Sequence, residues 1–481
     1  TWIWSGMNPG GRLPGVEGVG HYWDGVGQSL LFVPFDFILS ALGIADVETR
    51  FNIVSRALFP AVNGLVLLLS WHALRGLGFK ARSCSLGTLI TLGCTTLTFH
   101  FQNNQENPLM LAYALIAIIG IVKWNDSGSL LWLNLACAAQ AANLSIRVTN
   151  LAYILPLFGL PMLSRAFDRS RPWSWREEVR HVAKMAVVGV PWLLVGLAMD
   201  RWWQWVRFGT LQGTYYSIFQ KWAVTHFEDL PPGFPFSEPF LEGFAGQLIS
   251  PAKGVVFYEP LVIATVAFWF LRKTEATPRT KALVLIGCIA ILGTAVGLAR
   301  LYYWDSEPNW GPRYLATPAH LLELALSAWI VSRLDPKTWL QRLLGLAAVG
   351  LMAIQISGIW WPAYHENMEG AVRRGPEYVK TSSDLWSRGL PTVNSEIHKD
   401  WVVINRPVGV AKDIARQIAL PKEEWLASKP PMRMIWITGT LNSFSPSTRW
   451  AVRLVWLTGL GLALWLARQA VVGTETPRNP T

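Results

Sequence analysis

The sequence predicts an all-α polytopic membrane protein with a small α+β domain on its extracytoplasmic side, and three observations lead there. Of 481 residues, 51% are hydrophobic and only 15% charged, with a mean hydropathy of +0.28, a balance that excludes an ordinary water-soluble chain of this length. Apolar runs of membrane-spanning length recur from residue 52 onward, about eleven of them at roughly 20 residues per span. Basic clusters occupy alternate loops between those runs: Arg75, Lys80 and Arg82; Arg165, Arg169, Arg171, Arg176 and Arg180; Arg272, Lys273, Arg279 and Lys281; Arg333, Lys337 and Arg342. The positive-inside rule makes those loops cytoplasmic and puts 102–107, 203–253, 301–314 and 362–448 on the opposite face.

The predicted spans lie near 52–74, 83–101, 108–123, 130–146, 150–165, 184–202, 254–271, 282–300, 315–332, 342–361 and 449–468. The chain then divides into an extracytoplasmic loop over 1–51, a transmembrane core over 52–361, an extracytoplasmic soluble domain over 362–448, and a final helix with a cytoplasmic tail over 449–481. Residues 28–44 are also apolar, but counting them as a span would reverse the charge alternation that follows. With Pro34 and Asp36 inside, they read as a re-entrant or interfacial helix on the outer face. Within 362–448, residues 402–404 and 434–437 look like strands and 410–420 like a helix. A lid or acceptor-docking module and an inert spacer are equal readings of that domain.

The formal charge of +11 is spread over the loop clusters, which argues against a nucleic-acid partner. The cysteines, Cys84, Cys94, Cys137 and Cys288, sit in apolar runs without metal-ligand spacing and imply no disulfide framework. His100 and His226 lack a partner at such spacing and read as structural.

Chemistry concentrates in two polar, aromatic stretches, 302–314 and 250–260, each at the mouth of an apolar run and both on the predicted outer face. Asp305, Glu307 and Arg313 are residue types that bind ions or sugars, and the surrounding tryptophans and tyrosines suit both carbohydrate stacking and an interfacial belt. Either stretch alone reads as well as an anchor. Arg147 sits in a very short outer turn, where a charge near hydrocarbon is costly. A functional role and a structural pairing with Glu106 or Asp200 are both open for it.

The order and sidedness of these motifs resemble the bacterial GT-C glycosyltransferases, membrane enzymes of mannosyltransferase and arabinosyltransferase type that use polyprenyl-phosphate sugars. The resemblance spans most of the chain. Gly20-His21-Tyr22-Trp23-Asp24-Gly25 looks like the family's first-loop motif, Arg50 to Arg56 like the basic entry to the next span, and Glu106-Asn107-Pro108-Leu109 like the acidic opening of a later one. Trp205-Val206-Arg207-Phe208-Gly209 and the 250–260 stretch are more specific, and Trp310-Gly311-Pro312-Arg313-Tyr314-Leu315 is the most specific.

The resemblance implies sugar transfer from a polyprenyl-phosphate carrier to a glycan, lipid or protein acceptor, at the outer face of the bacterial cytoplasmic (inner) membrane. A first-loop carboxylate would be the general base, Asp24 before Glu17, while cations hold the leaving phosphate. Lys253, Arg207 and Arg313 are then expected at the lipid phosphate, with Arg147 and Tyr314 in the same substrate set. Tyr258, Trp304 and Trp310 are expected to stack on sugar, and Glu259, Asp305 and Glu307 to bind sugar hydroxyls or a divalent cation. Glu106, Asp305 and Glu307 form the expected metal set, and the polyprenyl-phosphate sugar is a substrate rather than a cofactor.

One departure keeps a second class open. The family's first helix and acidic motif are not visible before residue 20, so they either lie upstream of this sequence or have been lost. If lost, the chain reads as a non-catalytic scaffold or lipid-binding subunit of a larger membrane complex, its 27 tryptophans supplying anchorage and contact surface. A secondary transporter is a third reading, and it expects matched, interrupted helices in two halves. No internal repeat supports it.

Overall fold

The computed structural model describes residues 13–14, 20–21, 26–102, 106–168, 170, 173–214, 216–218, 220–221, 232–250, 254–270, 276–301, 312–333, 339–360 and scattered positions between 454 and 468. The expectations placed on Glu17, Asp24, His226, Lys253, Trp304, Asp305, Glu307, Trp310 and the 362–448 domain lie outside those residues.

Two short strands, β1 (Leu13–Pro14) and β2 (Gly20–His21), pair antiparallel, and everything else regular among the described residues is helical. The order continues α1 (Val26–Ala41), α2 (Val47–Gly76), α3 (Ala81–Cys94), α4 (Leu97–Gln102), α5 (Asn107–Ser127), α6 (Leu130–Ile146), a 3-10 turn at Val148–Asn150, α7 (Leu151–Phe158), α8 (Leu160–Phe167) and α9 (Trp175–Phe208). Then follow α10 (Phe240–Ile249), α11 (Val255–Tyr258), a 3-10 turn at Pro260–Ile263, α12 (Ala264–Phe270), α13 (Pro278–Leu298), α14 (Arg313–Arg333) and α15 (Trp339–Trp360). Five segments are long and apolar enough to cross a membrane among the described residues: Ala57–Gly76 of α2, and α5, α9, α13 and α14.

Three predicted spans are interrupted, the 130–146 helix is shorter than a full span, and most of 449–468 lies outside the described residues, so five long apolar helices stand against about eleven apolar runs. The 83–101 run breaks where Thr95 is extended, with its hydroxyl donating to the Thr91 carbonyl and accepting from the Leu97 amide. The 150–165 run breaks at Gly159, between Pro156 and Pro161. The 254–271 run breaks at Glu259 and Pro260, where the proline cannot donate to a continuing helix.

Helices α5 and α14 form the centre, with 78% and 83% of their apolar windows buried, whereas only 11% of α9 is. Val187, Leu194, Leu131 and Phe270 stand out from the surface, as do Phe37 of α1 and Leu42 just after it. That much exposed apolar surface belongs in lipid, so the chain is an integral membrane protein. Helix α1 has 16 residues with Pro34 inside and is tied to α2 by a 2.7 Å ion pair from Arg50 to Asp36.

Between central helices small residues let backbones approach, since lipid supplies no hydrophobic drive between helices. A Cβ on Gly87 would meet Ala328 at 2.9 Å, and one on Gly287 would meet Leu322 at 2.7 Å. The Thr91 hydroxyl donates to Ser327 at 3.2 Å across the same α3–α14 seam.

Polar ties mark the two ends of the bundle. At one, Arg279 bonds the Gly76 carbonyl at 3.0 Å and pairs with Asp126, while the Thr277 hydroxyl bonds the Leu77 carbonyl at 2.7 Å. The basic loops following α2 and preceding α13 therefore share an end. At the other end α5 and α14 begin together, and α10 lies against the C-terminus of α13, with Gln247 donating to the Ala295 carbonyl at 3.2 Å.

Candidate functional site

The end that carries the predicted outer loops is built from three helix termini. Glu106 occupies the N-cap of α5, and Pro108 in the first turn removes an amide that would lack a helical partner. Asn107 donates to the Arg313 carbonyl at 3.0 Å, locking the start of α14 to the start of α5. Arg147 leaves the end of α6 in an extended conformation. Its turn is held by a buried polar knot in which Asn150 donates to Asn143 Oδ1 at 2.9 Å and Tyr153 donates to the same oxygen at 3.0 Å.

Both arginines converge on one carboxylate. Arg147 forms an ion pair with Glu106, and Arg313 approaches the same Oε1 at 3.4 Å. Glu106 is 2% exposed, whereas Arg147 and Arg313 are 21% and 24% exposed, so the acid is sealed beneath cations that still reach the surface. The Arg147 guanidinium also lies 5.2 Å from the Tyr314 ring centroid. Tyr216 is within electrostatic reach of Tyr314, Arg147, Glu106 and Arg313. Burial first, then the neighbouring Tyr314 and Glu106, push its phenol above the ordinary range, and the two arginines only partly offset this. Tyr216 thus stays a neutral hydrogen-bonding group.

Four of the sequence-predicted residues, Glu106, Arg147, Arg313 and Tyr314, therefore come together. Of the two carboxylates named as partners for Arg147, Glu106 is the one it meets, and Asp200 bonds its neighbour Arg201. Arg207 is buried in the last turn of α9, its guanidinium carbon 5.2 and 5.1 Å from the Trp203 and Phe208 rings. A partly open apolar cleft of about 270 Å³ lies between α1, α6 and α9 and is lined by Leu30, Leu31, Tyr113, Ala142, Ser145 and Trp192. Ser145 places the cleft within one turn of Arg147.

Tyr258 and Glu259 belong to a second polar group deeper in the bundle, at the break between α11 and the following 3-10 turn. Tyr258 is buried, and its carbonyl accepts from Gln355 at 2.9 Å. The Glu259 carboxylate accepts from the Thr96 amide at 3.1 Å and from the Thr96 hydroxyl, and faces His320 Nε2 at 3.0 Å. Two interrupted helices are thus joined break to break. His100, also fully buried, lies 5.9 Å ring to ring from His320, with Asn107 Nδ2 3.5 Å from its Nε2. A continuous set of buried polar side chains therefore connects the two groups.

Sequence reasoning missed Thr96, Tyr216, His320 and Glu323. His320 and Glu323 did carry a signal, two ionisable residues inside an apolar run, which is a pointer to function in a membrane helix.

No protein-family model matches the chain, and no curated protein matches it. Among solved structures it is similar to ArnT from Cupriavidus metallidurans bound to undecaprenyl phosphate, at 16% identity and a TM-score of 0.40, over 98% of this chain and 72% of that one.

Proposed function

We propose that this protein transfers a sugar from a polyprenyl-phosphate carrier to an acceptor at the extracytoplasmic face of the membrane. The observation that carries the reading is the convergence of Arg147 and Arg313 on the single buried carboxylate of Glu106, beside an apolar cleft. Two guanidinium groups against one carboxylate leave a unit of positive charge, and a guanidinium bonds phosphate oxygens through paired N–H groups. A phosphate whose tail is apolar satisfies both halves of the arrangement. The motif order of the sequence supports the same reading.

In the proposed step an acceptor oxygen forms a bond to the anomeric carbon as the carbon–phosphate-oxygen bond breaks. The lipid phosphate leaves with the bonding electron pair, and a carboxylate takes the acceptor proton. Asp24 is the first choice for that base and Glu17 the second. Arg147 and Arg313 stabilise the charge gathering on the leaving phosphate, an effect that grows where water is excluded. Direct displacement inverts the anomeric centre. The full architecture proposed is a GT-C-type bundle of about eleven spans with an extracytoplasmic domain at 362–448.

The test uses the full chain in lipid nanodiscs. Undecaprenyl phosphate should bind at least about tenfold more tightly than undecaprenol, and the Arg147→Ala, Arg313→Ala double variant should remove that preference, as expected for charge-assisted bonds of about 1.5–3 kcal/mol. Equal binding of the two lipids sinks the proposal. Phosphate-dependent binding without transfer, and without an effect of Asp24→Asn on transfer to any acceptor, would make the protein a lipid-binding scaffold.

A further inference from the structure

Glu259, His320 and Glu323 come together from two helices, and one ligand atom from each lies within 4.8 Å of the others. All three are at most 1% exposed. At about 1.5 Å per residue, His320 and Glu323 sit roughly 10 and 15 Å along α14 from its outer end at Arg313, near the middle of a hydrocarbon layer about 30 Å thick. A buried carboxylate there costs several kcal/mol unless something positive compensates it.

Hydrogen bonding inside the protein does not provide that compensation. Glu259 is served by the Thr96 amide and hydroxyl. Both oxygens of Glu323 and Nδ1 of His320 are buried without a hydrogen-bond partner. Glu323 instead faces Glu259, carboxylate to carboxylate. Glu323 has the Val262 backbone amide within reach, but no lysine or arginine bears on it, so one ligand atom from each of Glu259, His320 and Glu323 is left around one small volume without a compensating cation among the described residues.

We propose that Glu259, His320 and Glu323 bind a divalent metal ion of zinc type, which staples the break between α11 and its 3-10 turn onto the middle of α14. Two carboxylates and a neutral imidazole balance a doubly positive ion. Zinc bonds nitrogen and carboxylate oxygen at about 2.0–2.2 Å in tetrahedral sites with as few as three protein ligands, so ligand atoms should stand about 3.4 Å apart. The His320–Glu259 separation of 3.0 Å and the 4.8 Å limit for the set need only a modest adjustment to reach that spacing. Thr96 Oγ1, 3.1 Å from His320 Nε2, is a further oxygen at the cluster. Calcium wants six to eight oxygens and magnesium keeps several waters, which a dry site with an imidazole does not offer. The ion's role is structural, because the cluster is enclosed by helices and lies deeper than the Glu106, Arg147 and Arg313 group, with His100 and Asn107 between them. The proposal stands independently of the glycosyltransfer reading.

The test is the metal content of the full chain, purified through a tag without histidine, embedded in nanodiscs, exposed to zinc chloride and then dialysed. Wild type should retain about one zinc ion per chain, with an X-ray absorption spectrum showing nitrogen and oxygen neighbours at about 2.0–2.2 Å. Glu323→Gln, which keeps shape and drops the charge, and His320→Ala should each lower the retained zinc at least tenfold. Zinc should raise Tm in wild type and leave the Glu323→Gln protein unmoved. Wild type without stoichiometric zinc overturns the proposal, and so does zinc that stays at wild-type level in both variants. The absorption spectrum of wild type needs no variant to fold.

Discussion

Arg313 meets the carboxylate of Glu106 across 207 positions of sequence, and it does so from the first residue of its helix. A cation there opposes the helix dipole, so helix stability does not select it. Glu106, at the N-terminus of α5, is in the favourable place. The pair draws together two helix starts that each bury most of their length, and the stronger side of the partnership is the acid.

That asymmetry predicts an order of effects. Glu106→Ala leaves two largely buried guanidinium groups facing each other and should lower stability by about 3 kcal/mol, the scale for breaking a buried pair. Arg147→Ala should cost less, because Arg313 remains against the acid. Chemical denaturation in mild detergent gives both values, and a larger loss for Arg147→Ala would contradict the geometry.

Thr96 closes the deeper polar group with one hydroxyl shared between Glu259 and His320. Thr96→Val keeps the shape and removes the hydroxyl, leaving a carboxylate oxygen short of a donor at a cost of about 1–3 kcal/mol. Thr96→Ser should recover most of it. If Val and Ser variants unfold alike, the methyl group and not the hydroxyl is what the site requires.

Gly243 of α10 has no room for a side chain, since a Cβ would stand 1.8 Å from the Ala299 carbonyl oxygen. Gly243→Ala should separate α10 from α13 and destabilise the protein by about 1–3 kcal/mol. Gly297→Ala, only two positions before Ala299 but with nothing within 4 Å, should be neutral or slightly stabilising, because alanine favours helix. Equal thermal shifts for the two variants would show that α10 does not hold this position in the membrane.

Sidedness is open to direct measurement. A cysteine at exposed Lys80 should react with an impermeant maleimide only from the cytoplasmic side, and one at Leu211 only from outside. Labelling of both from the same side would break the topology on which the outer placement of Arg147 and Arg313 rests.

Helices were legible wherever an apolar run was continuous: α2, α5, α6, α13 and α14 begin and end within a few residues of the expected spans. Pro34 and Asp36 set the 28–44 run apart in the sequence, and the helix found there, α1, has 16 residues. The breaks were not legible to the same degree, because hydropathy averages over a window and does not register one extended threonine such as Thr95 or a single Glu259–Pro260 step. In the site, Glu106 and Arg313 each stood out as charges at the ends of apolar runs. Their meeting was invisible, since contact across 207 positions is a property of packing. Glu323 and His320 were passed over for the opposite reason: lying inside a run, they were averaged away by apolar neighbours that remain buried around them.

The break at Glu259 also bears on how the ribosome and translocon make this protein. Glu259 leaves the ribosome 61 residues ahead of His320, so its segment reaches the lateral gate with a carboxylate and none of its later partners. Charged residues at a helix centre cost about 2.5–3.5 kcal/mol in translocon insertion, and the short pieces α11 and α12 offer little apolar length in return. The segment is therefore expected to be retained at the gate until α14 emerges, so that the two enter the bilayer as a unit. Glycosylation mapping of chains truncated before and after 313–333 would show this as a late, joint step, and full insertion of the shorter chain would refute it. Biogenesis of this membrane domain is then expected to proceed out of sequence order, with the interrupted helix waiting for the one that completes its polar group.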